Sequence, residues 1–249
     1  MPYATFLGVR IFGDPMPQAV TLTFYRFDRW RDRAWAFAMM GLARPALSRQ
    51  PEIGFWKLLG SGVGEGFTPL PNTGVYAILA TWPDHTTARQ VIETAPIFRR
   101  YAARAAESWT VLLTPQSAIG AWSGQMPFTP APDGQRHILA ALTRATIKPR
   151  ILLRFWKRVP RISKVIGMNP DVAFKIGVGE VPWLHQVTFS IWPDAEAMAR
   201  FARQGPHAEA IERVRAEGWF REELYARFSV HSEMGTWNGR SPLAALETT

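Results

Sequence analysis

Cysteine is absent from all 249 residues. That absence excludes disulfides, thiolate nucleophiles, Cys-ligated zinc, iron–sulfur clusters and a thiolate-ligated haem, so any metal must be held by His, Asp, Glu, Tyr or Met. Histidine is scarce too: His85, His137, His185, His207 and His231 are the whole set. No apolar run reaches the ~18 residues that a membrane span requires. The nearest, AWAFAMMGLARPAL, is interrupted by Arg44 and Pro45. The opening MPYATFLGVRIFGDP lacks the basic start and apolar stretch of a secretion signal, so a cytoplasmic protein is expected, at most peripheral to a membrane. Zinc-finger spacing, aromatic RNA-binding signatures and helix-turn-helix patterning are missing as well. No nucleic-acid partner is therefore expected, although the net charge of +9 favours acidic partners in general.

What is present is a chain that says one thing twice. YAILATWPDHTTARQVIETAPIFRRYAARAAESW and QVTFSIWPDAEAMARFARQGPHAEAIERVRAEGW align without a gap, 110 positions apart. Trp82-Pro83-Asp84 meets Trp192-Pro193-Asp194, Pro96 meets Pro206, and Trp109 meets Trp219. Upstream, GVGE at Gly62–Glu65 recurs at Gly177–Glu180, and Pro45 recurs as Pro160, both 115 positions on. Such self-similarity has to be settled before any single motif is trusted. Each copy reads as strand, helix, two strands, helix, strand, the ferredoxin-like order, with Asp84 and Asp194 capping the helix after the third strand. The fold class expected is α+β: two tandem ferredoxin-like repeats that form a dimeric α/β barrel within one chain. The boundaries expected are 1–125 for the first unit, 126–139 for a Pro/Gly-rich linker, 140–237 for the second unit and 238–249 for a tail.

A duplicated unit separates what the fold requires from what is free to vary. Trp-Pro-Asp stands in both copies and reads as structural. His207 stands where the first copy has Ile97. On a helix starting near Pro206, His207 shares a stripe with Ile211, Val214 and Gly218, while Glu209, Glu212, Arg213 and Glu217 take the solvated side. An inward imidazole near a helix start, in a chain without cysteine, suits haem iron; a core histidine satisfied by a hydrogen bond is the plainer alternative. A third reading, His207 and Glu209 with His231 as a two-His, one-carboxylate iron site, conflicts with that helix, where residues two apart point nearly opposite ways. GSGVGEG lacks the Gly-Lys-Ser/Thr ending of a phosphate loop and reads as a strand-end turn. His85 is expected to be exposed, and His137 falls in the linker.

Alternation sorts the second-unit strands into two faces. Phe174, Ile176 and Val178, with Val187, Phe189 and Ile191, are expected under the helices; of these, Phe174, Ile176, Val187 and Phe189 are the candidate cofactor contacts beside His207. Lys175, Gln186, Thr188 and Ser190 are expected to face the barrel interior, with Arg144. His185 shares parity with Val187, which brings it toward the space assigned to His207.

The phrases GFWKLLGSGVGEGFTPLPNTGVYAILATWPD, ALTRATIKP, FWKRVPRISKVIG, FKIGVGEVPWLHQVTFSIWPD, GPHAEAI and WFREELYARF together resemble the spheroidene monooxygenase family, the acyclic carotenoid ketolases of purple bacteria. The resemblance covers about residues 18–240. It implies a haem-containing oxygenase acting at C2 of an acyclic carotenoid with dioxygen and reduced ferredoxin. It also implies kinship with dimeric α/β barrel haem proteins, in which a His on a helix of the C-terminal unit ligates the iron; His207 in GPHAEAI is the matching position. Because no thiolate is available, His185, Arg144 and Lys175 are the candidate catalytic groups, a proton donor and two cations opposite the iron. The segment RWRDRAWAFAMMGLARPALSR, basic at its ends and apolar between, is a candidate membrane contact. Alternatives within the same barrel are another His-haem reaction, such as aldoxime dehydration or peroxide chemistry, or a haem or small-molecule carrier without catalysis.

Overall fold

β-branched and aromatic runs bounded by Pro and Gly make the strands. In the first unit these are β1 (Ala19–Arg26), β2 (Trp56–Gly62), β3 (Pro71–Trp82) and β4 (Glu107–Gly120); in the second, β5 (Leu139–Ile147), β6 (Phe174–Gly179), β7 (His185–Trp192) and β8 (Phe220–Gly235). Helices α1 (Trp30–Leu42), α2 (Arg44–Ser48), α3 (His85–Thr94) and α4 (Pro96–Arg104) belong to the first unit. In the second unit lie α5, over residues 152–157, and α6 (Ala195–Arg203). The computed structural model describes residues 16–131, 138–157, 171–203 and 217–246.

The repeated Trp-Pro-Asp phrase is structural, as its presence in both copies implies. Asp84 Oδ1 accepts a hydrogen bond from the Thr87 amide at 2.8 Å, and Asp194 Oδ1 accepts one from the Ala197 amide at 2.7 Å. Each carboxylate satisfies an orphan donor at its helix start and sits at the positive end of the dipole.

The eight strands close into one barrel in the order β1-β3-β2-β6-β7-β5-β8-β4. Its two seams differ. β4 and β8 pair antiparallel from Trp109↔Gly235 to Gly120↔Leu224, whereas β2 and β6 share only Gly60↔Gly179 and Ser61↔Val178. The short seam is reinforced by the turn after β2, which crosses the outside of β6. Gly177 N donates to Glu65 O at 2.7 Å, and Ser61 Oγ donates to Gly177 O at 2.9 Å. A Cβ on Gly66, at φ +88°, would stand 1.9 Å from Gly177 O, so only glycine permits this crossing. The GVGE phrase is thus a strand end and its turn, as expected.

The barrel interior is filled by apolar side chains. Phe24 of β1 lies 5.5 Å from Phe174 and 6.2 Å from Phe189, and Trp109 of β4 lies 4.5 Å from Phe174, ring centre to ring centre. These contacts reach across the barrel from one unit to the other, and they correct the expected faces. Phe174, Ile176, Val178, Val187, Phe189 and Ile191 fill the interior with Val20, Leu22, Val111 and Leu142; they do not lie under the helices as candidate cofactor contacts. Lys175, Gln186, Thr188 and Ser190 take the outer face. The physical reason is that an eight-stranded barrel of this size fills its interior with side chains, and burying the apolar set of every strand there removes the most surface from water. Arg144 does point inward, at one end of the barrel. His85 is also corrected: it is half-buried, its Nε2 lies 2.8 Å from Thr114 Oγ1, and its ring sits 3.8 Å from that of His231.

Candidate functional site

Both units expose the same sheet face to their helices but furnish it differently. In the first unit, Tyr25, Leu58, Tyr76, Ile78 and Ala80 pack with Ala36 and Met39 of α1, Ala88 and Val91 of α3, and Ile97, Phe98 and Tyr101 of α4 in one apolar layer. Strand register identifies the matching positions of the second unit. Tyr25↔Tyr76 and Thr23↔Ile78 correspond to Ala145↔Gln186 and Thr143↔Thr188; Trp56↔Ala80 and Leu58↔Ile78 correspond to Lys175↔Ser190 and Gly177↔Thr188. At five of these seven places (Tyr25, Trp56, Leu58, Tyr76 and Ile78) a bulky side chain has been exchanged for a small or polar one. Gln186, Thr188, Thr143 and Lys175 are only half-buried. The apolar contacts that remain around this face are two separate groups, one around Ile147, Ile151 and Trp219 and the other around Trp192, Ala197 and Met198.

The floor so made carries hydrogen-bonding groups that the protein leaves in want of company. Gln186 Nε2 is buried and finds no hydrogen-bond partner among the described residues. An amide nitrogen in that state costs roughly 1–3 kcal/mol unless something occupies the space before it. On the same face Lys175 Nζ lies 3.0 Å from Glu65 Oε2, and the Tyr225 hydroxyl donates to Glu223 Oε2 at 3.1 Å.

A second polar cluster closes one end of the barrel interior. Glu180 is its hub: Lys57 Nζ lies 2.9 Å from Oε1, Trp122 Nε1 donates to Oε2 at 2.7 Å, and Arg144 Nη2 and His185 Nδ1 lie 3.8 Å and 3.4 Å from Oε2. Arg144, 1% exposed, also pairs with Glu222, whose carboxylate accepts from the Ser123 and Gly124 amides at 3.1 and 2.7 Å. Burial alone would raise the pKa of Glu180, but hydrogen bonds from His185, Lys57 and Trp122 and the charge of Lys57 bring it down to about 2. Because Lys57 and Trp122 come from the first unit's side and Glu180, Arg144, His185 and Glu222 from the second, this network clamps the two together.

The candidate catalytic residues therefore do not converge. Arg144 and His185 share Glu180 inside the barrel, while Lys175 lies on the opposite sheet face with Glu65. His207, like His137 and Glu209, lies outside the described residues. Among the described residues no group of three His, Asp or Glu side chains is placed to hold a metal, and His231 packs on His85. Gln186 is the functional candidate that sequence reasoning passed over. Its signal was available in the repeat, since 110 positions separate Tyr76, Ile78 and Ala80 from Gln186, Thr188 and Ser190. A cleft of about 750 Å³ opens elsewhere, between Met16–Gln18 and Pro51–Gly54 of the first unit and Thr129–Ala131 of the connecting segment, and of its lining only Glu52 is ionisable.

No protein-family model matches the chain. The chain is 52% identical over 234 residues to the spheroidene monooxygenase of Cereibacter sphaeroides, covering 93% of this chain and 72% of that protein. It is 47% identical to the spheroidene monooxygenase of Rhodobacter capsulatus, covering 92% and 97%. Among solved structures, an aldoxime dehydratase superposes with a TM-score of 0.62 at 12% identity, covering 98% of this chain and 94% of that one, which shows a shared fold. A 52% match over 93% of its length places this chain in the spheroidene monooxygenase family.

Proposed function

We propose that this protein is a haem-dependent monooxygenase that hydroxylates an acyclic carotenoid at C2 and carries it on to the ketone, using dioxygen and reduced ferredoxin. The observation that carries the cofactor assignment is the contrast between the two sheet faces. A helix-facing surface that the first unit fills with Tyr25, Tyr76 and Ile78 is stripped in the second to Ala145, Gln186 and Thr188, with a buried amide nitrogen in want of a partner. Small side chains and an unspent donor on this sheet face suit a planar group lying against it. His207 is the side chain we assign to the iron, from its place in the repeat.

When bound, the haem supplies the metal at which dioxygen is reduced. Each hydroxylation puts one oxygen atom into a C–H bond and releases the other as water, consuming two electrons and two protons; a second insertion at the same carbon and loss of water leave the ketone. The chain's own contribution is positioning and proton supply. Gln186 Nε2 would have a hydrogen bond to give to a group held against the sheet, Thr188 would offer a hydroxyl beside it, and Lys175, paired with Glu65, would bring a cation to the edge of the same face. Arg144 and His185 we assign to the barrel-end clamp around Glu180. Electrons must come from outside, since a chain without cysteine holds no iron–sulfur relay. A net charge of +9 steers an acidic ferredoxin to the surface.

The test is a visible spectrum of the purified protein after haem addition, before and after His207→Ala. The expected result is a haem band in the parent that shifts or vanishes in the variant. A band unchanged by the substitution overturns the ligand assignment, and no band in the parent overturns the cofactor. Carotenoid turnover with reduced ferredoxin then separates an enzyme from a carrier.

A further inference from the structure

Helix α1 is apolar on two faces, and only one of them is used. Its inner side places Ala36 and Met39 in the core beneath. Its outer side presents Trp30, Ala34, Phe37 and Gly41, a stripe at i, i+4, i+7 and i+11, with Leu42 beside it. Trp30 is 73% exposed, Phe37 70% and Leu42 71%. An apolar helix face is ordinarily buried against the protein. Here the outward stripe continues past the helix end through exposed Pro45 and Ala46.

The charges that border the stripe are mostly positive. Arg29, Arg31, Arg33, Arg44 and Arg49 are all exposed. Arg31 folds its guanidinium over the Trp30 ring at 5.4 Å, and Arg33 Nε is tethered to Phe27 O at 2.9 Å. The acidic neighbours are already engaged, Asp28 with Arg26 at 3.5 Å and Asp32 with Arg104 at 3.2 Å. Three of these arginines stand at the start of α1, where the helix dipole is positive and cations are unfavourable. The helix dipole therefore does not account for their place there.

We infer that α1 is a docking surface for an anionic phospholipid bilayer, lying in the headgroup plane with Trp30, Phe37 and Leu42 immersed and the arginines on lipid phosphates. Aromatic rings beside arginines are what an interfacial helix requires. A second copy of this chain fits poorly, because a two-fold contact through the same face sets the arginines against their own images. The inference gains its purpose from the proposed function, since a carotenoid dissolved in lipid must be met where it is, but it stands on the helix alone.

The experiment is cosedimentation of the full-length protein with vesicles of phosphatidylcholine, with and without phosphatidylglycerol. Binding is expected only to the anionic vesicles and is expected to weaken as salt is raised. The double substitution Trp30→Ser, Phe37→Ser should lower the fraction bound by about tenfold or more, whereas Ile119→Ser, which alters an exposed side chain of β4, should leave it unchanged. Circular dichroism and thermal melting confirm that each variant is folded. Equal binding by the double variant, or no binding to anionic vesicles at low salt, overturns the inference. So does a dimer in sedimentation velocity that the double substitution dissolves, which would make the stripe a protein contact. The haem spectrum should survive the double substitution and vesicle binding should survive His207→Ala, so failure of either reading is visible without the other.

Discussion

At position 186 a side-chain amide has been placed where the first unit keeps the ring of Tyr76, and its nitrogen is buried without a partner among the described residues. Replacing Gln186 by Leu removes the polar group at nearly constant volume. The expected outcome is a gain of about 1 kcal/mol in unfolding free energy, read from urea denaturation, together with a fall in carotenoid turnover of about tenfold or more. A loss of stability instead would mean that the amide is already satisfied. Glu180 is the opposite case, a carboxylate with more partners than it can serve equally, and its neighbours Lys57, Trp122, Arg144 and His185 give it a structural purpose rather than an exposed chemical one.

The seam between β2 and β6 is the weak element of the barrel, since it rests on two residue pairs and the turn that crosses it. Gly64 and Gly66 in that turn both have positive φ, at +72° and +88°, but a Cβ on Gly64 meets open space while one on Gly66 collides with the Gly177 backbone. Gly64→Ala should therefore cost about 1 kcal/mol for the backbone conformation alone. Gly66→Ala should cost about 3 kcal/mol or more, because the turn must lift off β6. Denaturant midpoints of the two variants, measured side by side, check the difference; equal costs would show that the crossing is not tightly held.

For the molecule as a whole, closing the barrel joins the two units, and the clamp at the barrel end makes that joint sensitive to acid. Glu180 has its pKa lowered from 4.5 to about 2 in the folded state. A depressed carboxylate stabilises the fold above its unfolded pKa and loses that contribution as pH falls through the folded one. The window is therefore between about pH 4.5 and pH 2, and the contribution at stake is on the order of 3 kcal/mol. Glu180→Gln should flatten the fall in unfolding free energy between pH 5 and pH 3 relative to the parent. Parallel slopes for the two proteins would remove Glu180 from the account. Glu222 and Glu107 are depressed in the same direction by backbone amides and by Arg144 and Arg26, so some acid sensitivity remains in the variant.

By itself the sequence determined the duplication, the order of elements, the capping aspartates and the barrel class, because periodicity, turn residues and a fixed offset between copies are local properties that survive translation along the chain. It also marked His207 as the place where the copies part in chemistry. What it left open was which face of each strand turns inward. Alternation divides a strand's residues into two sets without naming the inner one, and the choice is made only when Phe24 and Trp109 of one unit meet Phe174 and Phe189 of the other. That meeting sends Gln186, Thr188 and Lys175 outward and gathers Arg144, from a different strand, with Glu180 and His185 at one end of the barrel. The exposed stripe of α1 belongs to the same class of decision, for composition shows an apolar helix and only packing shows which of its faces is left uncovered.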